Sequence, residues 1–270
     1  MISIHPLAHV SSGAVLGDET SVAPFAVIET GVVTGAGCAI GVGVVLHPGT
    51  TLGDRVRVHP YAVLGGLPQD YSFDPAVASG VAIGDDTVIR EGVTVNRASK
   101  PGTVTRVGKN SMLMASSHVA HDATLGDHVT LANSALIAGH VTVGDRAFVS
   151  GNTSVHQFNR IGPGAMVAAG ATITLDVPPY TMTAERNHLI GFNLVGLRRA
   201  GTSRESISEL KRVWRAVYAP GAMNACDNAR RALDSGVFIS PEALIFLRFF
   251  AEPGRRHGHA RPRSAAEQEN

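Results

Sequence analysis

A six-residue period constrains this chain more than any other feature. Stepping by six from Ile4 through Val10, Leu16, Val22, Ile28, Thr34, Ile40, Leu46, Leu52 and Val58 to Leu64, only Thr34 is not Ile, Leu or Val. Four residues beyond these positions the side chain is again small or β-branched, at Ala8, Ala14, Thr20, Ala26, Val32, Val44, Thr50, Val56 and Ala62. The rhythm lapses after Gly65, resumes one residue out of phase at Ile83, Ile89 and Val95, breaks at Pro101, and then runs unbroken from Val107 to Ile173. Six is neither the 3.6 of a helix nor the alternation of a long strand, so the pattern needs short strands joined by turns, each sending one aliphatic side chain into a shared interior. A parallel β-helix meets that need. If three hexads make one coil, residues eighteen apart lie one above another at about 4.8 Å, the spacing of paired strands. The inner positions then fill a narrow tube with little room for rings, in keeping with an aromatic content of 5%.

The rest of the composition narrows the function classes. Lys plus Arg is 23 and Asp plus Glu 22, so overall charge offers nothing to nucleic acid or an anionic membrane. Cys38 and Cys226 stand far apart without metal-ligand spacing and read as free thiols of a reducing compartment. No apolar run reaches the roughly 20 residues of a membrane span. The start, Met1-Ile2-Ser3-Ile4-His5-Pro6, lacks the basic and apolar regions of a signal peptide, and a cytoplasmic location is expected.

Three segments fall outside the repeat. Loop insertions are expected at 65–82, around Pro68-Gln69-Asp70, and at 96–106, where one hexad is replaced. Asp176-Val177-Pro178-Pro179-Tyr180 should end the coil, because two prolines remove ladder donors. A coil domain is therefore expected over 1–187. An α-helical domain is expected over 188–252, with helices from Thr202 or Ser203 to a stop at Pro220-Gly221, from about Asn224 to Leu233 with an end at Gly236, and from Ser240-Pro241 through Phe250. The polar remainder, 253–270, reads as a disordered tail. Eleven Lys or Arg stand against six Asp or Glu between Ile190 and Arg256, so this end suits an acidic partner or a phosphate as well as plain solvation.

Chemistry concentrates at Ser117-His118-Val119-Ala120-His121-Asp122. An imidazole beside a carboxylate accepts a proton near neutral pH, because the carboxylate fixes its tautomer and stabilises the imidazolium. The eighteen-residue stacking places Gly139 and then Gln157 over His121, and His140 and then Phe158 over Asp122. His121 as base, Asp122 as its orienter and the Gly139 backbone amide as oxyanion donor suit acyl transfer to a hydroxyl. His140, His156 and Gln157 can hydrogen-bond a polyhydroxyl acceptor. No partnered Ser or Cys nucleophile is evident, which favours direct transfer. The same histidines could instead ligate a metal, although no metal ligand set is assigned.

Taken with the coil, the motifs His118-Val119-Ala120-His121-Asp122, Ala138-Gly139-His140, Val155-His156-Gln157-Phe158, Asp176-Val177-Pro178-Pro179-Tyr180 and Gly196-Leu197-Arg198-Arg199 resemble the UDP-N-acetylglucosamine O-acyltransferases. The resemblance implies a mainly β fold, a left-handed parallel β-helix of hexapeptide repeats with a C-terminal α-helical domain, assembled as a homotrimer. It implies transfer of a 3-hydroxyacyl chain from acyl carrier protein to the 3-hydroxyl of UDP-N-acetylglucosamine in lipid A synthesis, with the carrier thioester as co-substrate and no cofactor. By the same resemblance His121, Asp122 and Gly139 are catalytic. Gln69, Asp70, His118, His140, His156 and Gln157 contact sugar or acyl group, Asn193 and Arg199 the nucleotide, and Ala169 sets acyl length. The Asp70 loop and the Arg199 arm would complete a neighbouring subunit's site. Four positions depart from the family pattern: Ser72 for Lys, Asn96 for His, Val195 for Glu and Ala200 for Arg. They leave room for another sugar or amino-sugar nucleotide as acceptor. The competing readings are an acetyl-CoA-dependent acetyltransferase on the same scaffold and a non-enzymatic solenoid.

Overall fold

A computed structural model describes residues 1–219, 224–252 and 257–262. Two- to four-residue strands stack into three parallel sheets, the walls of a triangular prism. The register is the one the repeat demands: Ser3 pairs with Ser21, Val45 with Val63, His118 with Leu136 and Ser154 with Thr172. Each insertion is absorbed by one lengthened coil, so Val63 pairs with Thr94 and Val88 with Met112 without loss of face. Strand amides donate to the next coil, as in His118 N to Ala135 O (2.9 Å) and Leu136 N to Thr153 O (2.8 Å).

Both sequence rows point inward. Ile28, Leu46, Leu64, Leu113, Leu131 and Ile137 are fully buried, and so are Ala26, Val44, Val56 and Ala62 of the small row. Each large aliphatic contributes about 1.5–3 kcal/mol by leaving water. The first coil closes the tube imperfectly, since Ile4 is exposed and Val10 and Leu16 only half-buried. Corners turn through a residue in the left-handed region, among them Ser116, Asp122, His128, Ser134, His140, Arg146, Asn152 and Phe158 at φ 54–65°. At a non-glycine residue that conformation costs roughly 1–2 kcal/mol, and the ladder and interior over-determine it.

The corners define three edges. At the first, the chain passes from the second sheet to the third. It carries both insertions, which leave between Val63–Gly66 and Gly80–Ile83 and between Thr94–Asn96 and Val104–Val107, followed by the turns holding His121, Gly139 and Gln157. The second insertion is shorter than expected, because residues 96 and 104–106 are strand and only 97–103 loop out. Ala169 turns between Met166–Val167 and Thr172–Ile173 at a different edge, and Gly164 lies at the third.

Beyond Pro178-Pro179 the first sheet continues through an antiparallel hairpin, Thr181–Ala184 with His188–Phe192, that the sequence pattern did not announce. A short helix α1 (Leu194–Arg199), also unforeseen, is capped by Asn193. Helices α2 (Arg204–Val217), α3 (Ala225–Asp234) and α4 (Pro241–Ala251) follow, capped by Ser203, Asn224 and Ser240. They pack through Leu210, Val213, Ala229, Phe246, Leu247 and Phe250. The anticipated stop at Pro220-Gly221 lies outside the described residues.

The expectation of a disordered tail over 253–270 fails for 257–262. Arg261–Pro262 extends the first sheet beside His188–Leu189, Ala260 N donates to Asp176 O at 2.9 Å, and Ala260 is fully buried. His259, 6% exposed, lies against the Phe250 ring at 4.4 Å between centroids. Polar composition argued for disorder, but apolar contacts and ladder bonds that only the fold supplies offset the ordering entropy. Residues 253–256 and 263–270 of that tail lie outside the described residues. Among the described residues no helix is long and apolar enough to cross a membrane.

Candidate active site

The turn after His118–Val119 brings His121 Nδ1 within 2.7 Å of Asp122 Oδ2. Both side chains are well covered, 18% and 11% exposed. Asp122 is held from three further directions. Ser99 N donates to both carboxylate oxygens at 3.1 and 3.2 Å, Thr105 Oγ1 accepts from Asp122 N at 2.9 Å, and His140 Nε2 stands 3.7 Å from Oδ2. Burial by itself would raise this carboxyl's pKa. The bonds from Ser99 and His121 and the charge of His140 more than offset it, so Asp122 sits below the usual carboxylate range and stays ionised. An ionised Asp122 must accept at Oδ2, so His121 carries its proton on Nδ1 and presents Nε2 as the basic atom.

Gly139, on the next coil, closes on that ring. A Cβ built on it would lie 2.9 Å from His121 Nε2 and Cε1, too near for ordinary contact, so a glycine lets the two coils stack with the imidazole in this place. Above it, the His140 ring meets His121 edge-on at 5.2 Å and stacks on Phe158 at 4.6 Å. His118 Nδ1 is 2.7 Å from Thr94 Oγ1, and burial, with the charge of His121, lowers its pKa and keeps it neutral. Asp70 accepts from Ser72 N (2.9 Å) and Oγ (2.8 Å), which lower its pKa, and the charge of His121 lowers it further.

The Asp70 loop leaves from the His121 edge of its own chain. Gln69, His156 and Gln157 are exposed along that edge. The remaining predicted residues are elsewhere. Ala169 is exposed at a second edge. Asn193 caps α1 through Gly196 N and donates to Gly164 O at 3.1 Å at the third, and Arg199 is exposed at the end of α1. One prism cannot bring its three edges together.

His121, Asp122 and His140 offer ligand atoms within 4.8 Å of one another and could hold a metal ion, but the hydrogen bonds just described already account for their arrangement.

Comparison with known proteins supplies the family. Residues 176–259 match the family model described as UDP-N-acetylglucosamine O-acyltransferase, domain 2, and residues 105–139 match that of the bacterial transferase hexapeptide. An acyl-(acyl-carrier-protein)–UDP-N-acetylglucosamine O-acyltransferase from Janthinobacterium sp. (strain Marseille) is 40% identical over 257 residues, 93% of this chain and 96% of that one. The chain belongs to the UDP-N-acetylglucosamine O-acyltransferase family. A relative of the same description from Campylobacter lari is 39% identical over 237 residues, 87% of this chain and 89% of its own. Two solved UDP-N-acetylglucosamine acyltransferases superpose along nearly the whole length. That of Francisella novicida has a TM-score of 0.90 and 31% identity, covering 98% of this chain and 96% of its own, and that of Campylobacter jejuni 0.88 and 34%, covering 96% and 100%.

Within this member of the family, Thr94, Ser99 and Thr105 escaped the sequence reading. Thr94 sits under His118 at an offset of 24 rather than 18, which the six-residue insertion hides. Ser99 and Thr105 lie in or beside a loop whose course no periodicity encodes. The departures have local consequences. Ser72 is consumed in the turn at Asp70, Val195 is exposed on α1, Ala200 ends that helix, and Asn96 donates to Leu67 O at 2.9 Å and tethers the first insertion.

Proposed function

We propose that this acyltransferase transfers a 3-hydroxyacyl chain from acyl carrier protein to the 3-hydroxyl of UDP-N-acetylglucosamine, in lipid A biosynthesis, by direct attack with His121 as general base. The observation that carries the mechanism is the 2.7 Å bond between His121 Nδ1 and Asp122, which leaves Nε2 as the basic atom, with the Gly139 backbone beside the ring. Nε2 takes the acceptor's hydroxyl proton as its oxygen forms a bond to the thioester carbonyl carbon. The tetrahedral oxyanion is held by the Gly139 N–H, whose amide donates to no backbone carbonyl among the described residues. Collapse breaks the carbon–sulfur bond, and the imidazolium returns its proton to the carrier's thiolate. Asp122 stabilises the imidazolium between the two transfers.

The working unit is a homotrimer. Ala169, Asn193 and Arg199 occupy edges other than that of His121, so an acyl groove and a nucleotide site that include them need a second copy. A contact between different edges is heterologous, and such contacts close into a ring when the rotation between copies returns to the start, here after three. The acidic carrier protein is the partner for the basic helices, where Arg198, Arg199, Lys211 and Arg215 are exposed or half-exposed. Two soluble substrates assign the reaction to the cytoplasm.

Turnover of 3-hydroxyacyl carrier protein with UDP-N-acetylglucosamine, its 3-amino analogue and, separately, free acetyl-CoA tests the reading. Transfer from the carrier thioester and none from acetyl-CoA is expected. His121→Ala should lower the rate about 10²- to 10⁴-fold in a protein that still assembles. A folded His121→Ala trimer with full activity would refute the base assignment.

A further inference from the structure

The C-terminal segment ends up at the active-site edge. After α4 the chain returns to the coil, and from residue 257 it is fastened along the end of the prism. Asp176 N donates to Gly258 O at 2.8 Å, Asp176 bridges His259, Tyr218 Oη donates to Ala260 O at 3.2 Å, and Arg261–Pro262 pairs with His188–Leu189. This fastening delivers His257, half-buried, to the turn of the third storey of the site. Its Nε2 lies 2.9 Å from the Gln157 carbonyl oxygen, and its ring meets that of His156 edge-on at 5.6 Å. A carbonyl can only accept, so His257 Nε2 is the donor.

The contact falls on a turn whose side chains face the proposed substrates. Gln157 stands in the column of His121 and Gly139, and Phe158, one residue on, stacks on His140 at 4.6 Å, which itself lies 3.7 Å from Asp122. His156 and Gln157 are both exposed, so little packing from within the coil holds their orientation. We infer that His257 is a positioning residue of the acceptor site: by donating to the Gln157 carbonyl and backing the His156 ring, it orients the His156-Gln157 turn toward the nucleotide sugar. The segment acts as a strap whose anchor and working end are separable. His259, Ala260 and Arg261–Pro262 hold the strap to the fold, while His257 is, among its described residues, the one bonded to the turn.

The inference rests on the acceptor reading above, and the experiment keeps the two apart. Steady-state kinetics of the full-length protein are measured with a saturating acyl carrier thioester and varied UDP-N-acetylglucosamine, for wild type, His257→Ala and His257→Gln. Deleting one oriented hydrogen bond to the turn should raise the KM for the nucleotide sugar in His257→Ala about three- to tenfold, with kcat within twofold of wild type. His257→Gln keeps an N–H near the position of Nε2 and should restore KM to within about twofold. Thermal midpoints of all three should agree, because the anchor is untouched. An unchanged KM in His257→Ala, equal losses in both variants, or a fall in kcat without a rise in KM would overturn the positioning role while leaving the functional reading intact. A wild type that does not turn over UDP-N-acetylglucosamine would sink that reading and this inference with it.

Discussion

Gly139→Ala separates catalysis from folding more cleanly than removal of the base does. The new Cβ would stand 2.9 Å from His121 Nε2 and Cε1, whereas carbon makes ordinary contact at about 3.5–4.0 Å. The imidazole therefore has to retreat by roughly 0.6–1 Å, or swing away from Asp122 and lose its 2.7 Å bond. Displacement of a reacting group by about 1 Å costs on the order of 100-fold in rate. The fall in kcat/KM should therefore be about 100-fold, or about 2.7 kcal/mol of transition-state stabilisation. Stability should scarcely change. Gly139 does not have a positive φ, and the clash is with the far end of a side chain rather than with backbone. Loss of unfolded-state freedom on replacing glycine stabilises by about 0.4–1 kcal/mol, which offsets part of the strain. The measurements are acyl-transfer kinetics and denaturant unfolding on the same preparation. Wild-type turnover would show that the placement of the His121 imidazole against Gly139 does not matter to the reaction. A stability loss as large as the activity loss would make Gly139 a structural glycine.

Two further outcomes follow from electrostatics elsewhere in the fold. Asp176, 2% exposed, accepts from Arg160 N at 2.8 Å and Arg160 Nε at 2.9 Å and anchors the returning C-terminal segment, so Asp176→Ala should destabilise by about 2–3 kcal/mol in chemical denaturation; a cost within 0.5 kcal/mol would contradict its role as the joint between coil and tail. His118 has a pKa depressed below its ordinary 6.5 by burial, so it holds fewer protons folded than unfolded as pH falls through 6.5, and the stability it contributes is present above that value and lost below it. His118→Gln should flatten that acid-side slope, and an NMR titration of His118 centred at or above 6.5 would refute the account.

The helices divide by the same logic that divides the site. The starts of α2, α3 and α4 were legible because Ser203, Asn224 and Ser240 satisfy the first amides from within their own segments. The start of α1 was not, because Asn193 caps it from the end of a hairpin whose strands pair only once the prism exists. His257 is the extreme case. It lies in a run of Arg, His and Gly that carries no pattern, and it gains its place from Asp176, Tyr218 and His188, residues 39 to 81 positions earlier in the chain.

What the sequence determined by itself is the coil and the column His121, Gly139, Gln157. With three hexads to a coil, a residue's face and storey follow from its number wherever the period is unbroken. What only the tertiary structure decided is everything that reaches the column from outside the period. Thr94 under His118, the Ser99 amide on Asp122 and the tail at Gln157 all arrive through insertions or from the far end of the chain. The separation of Ala169, Asn193 and Arg199 onto other edges belongs there too, because which corner a turn occupies depends on the closed prism. Local spacing carries no information about contacts whose register is set by closure, and those contacts turn a polar turn into a site.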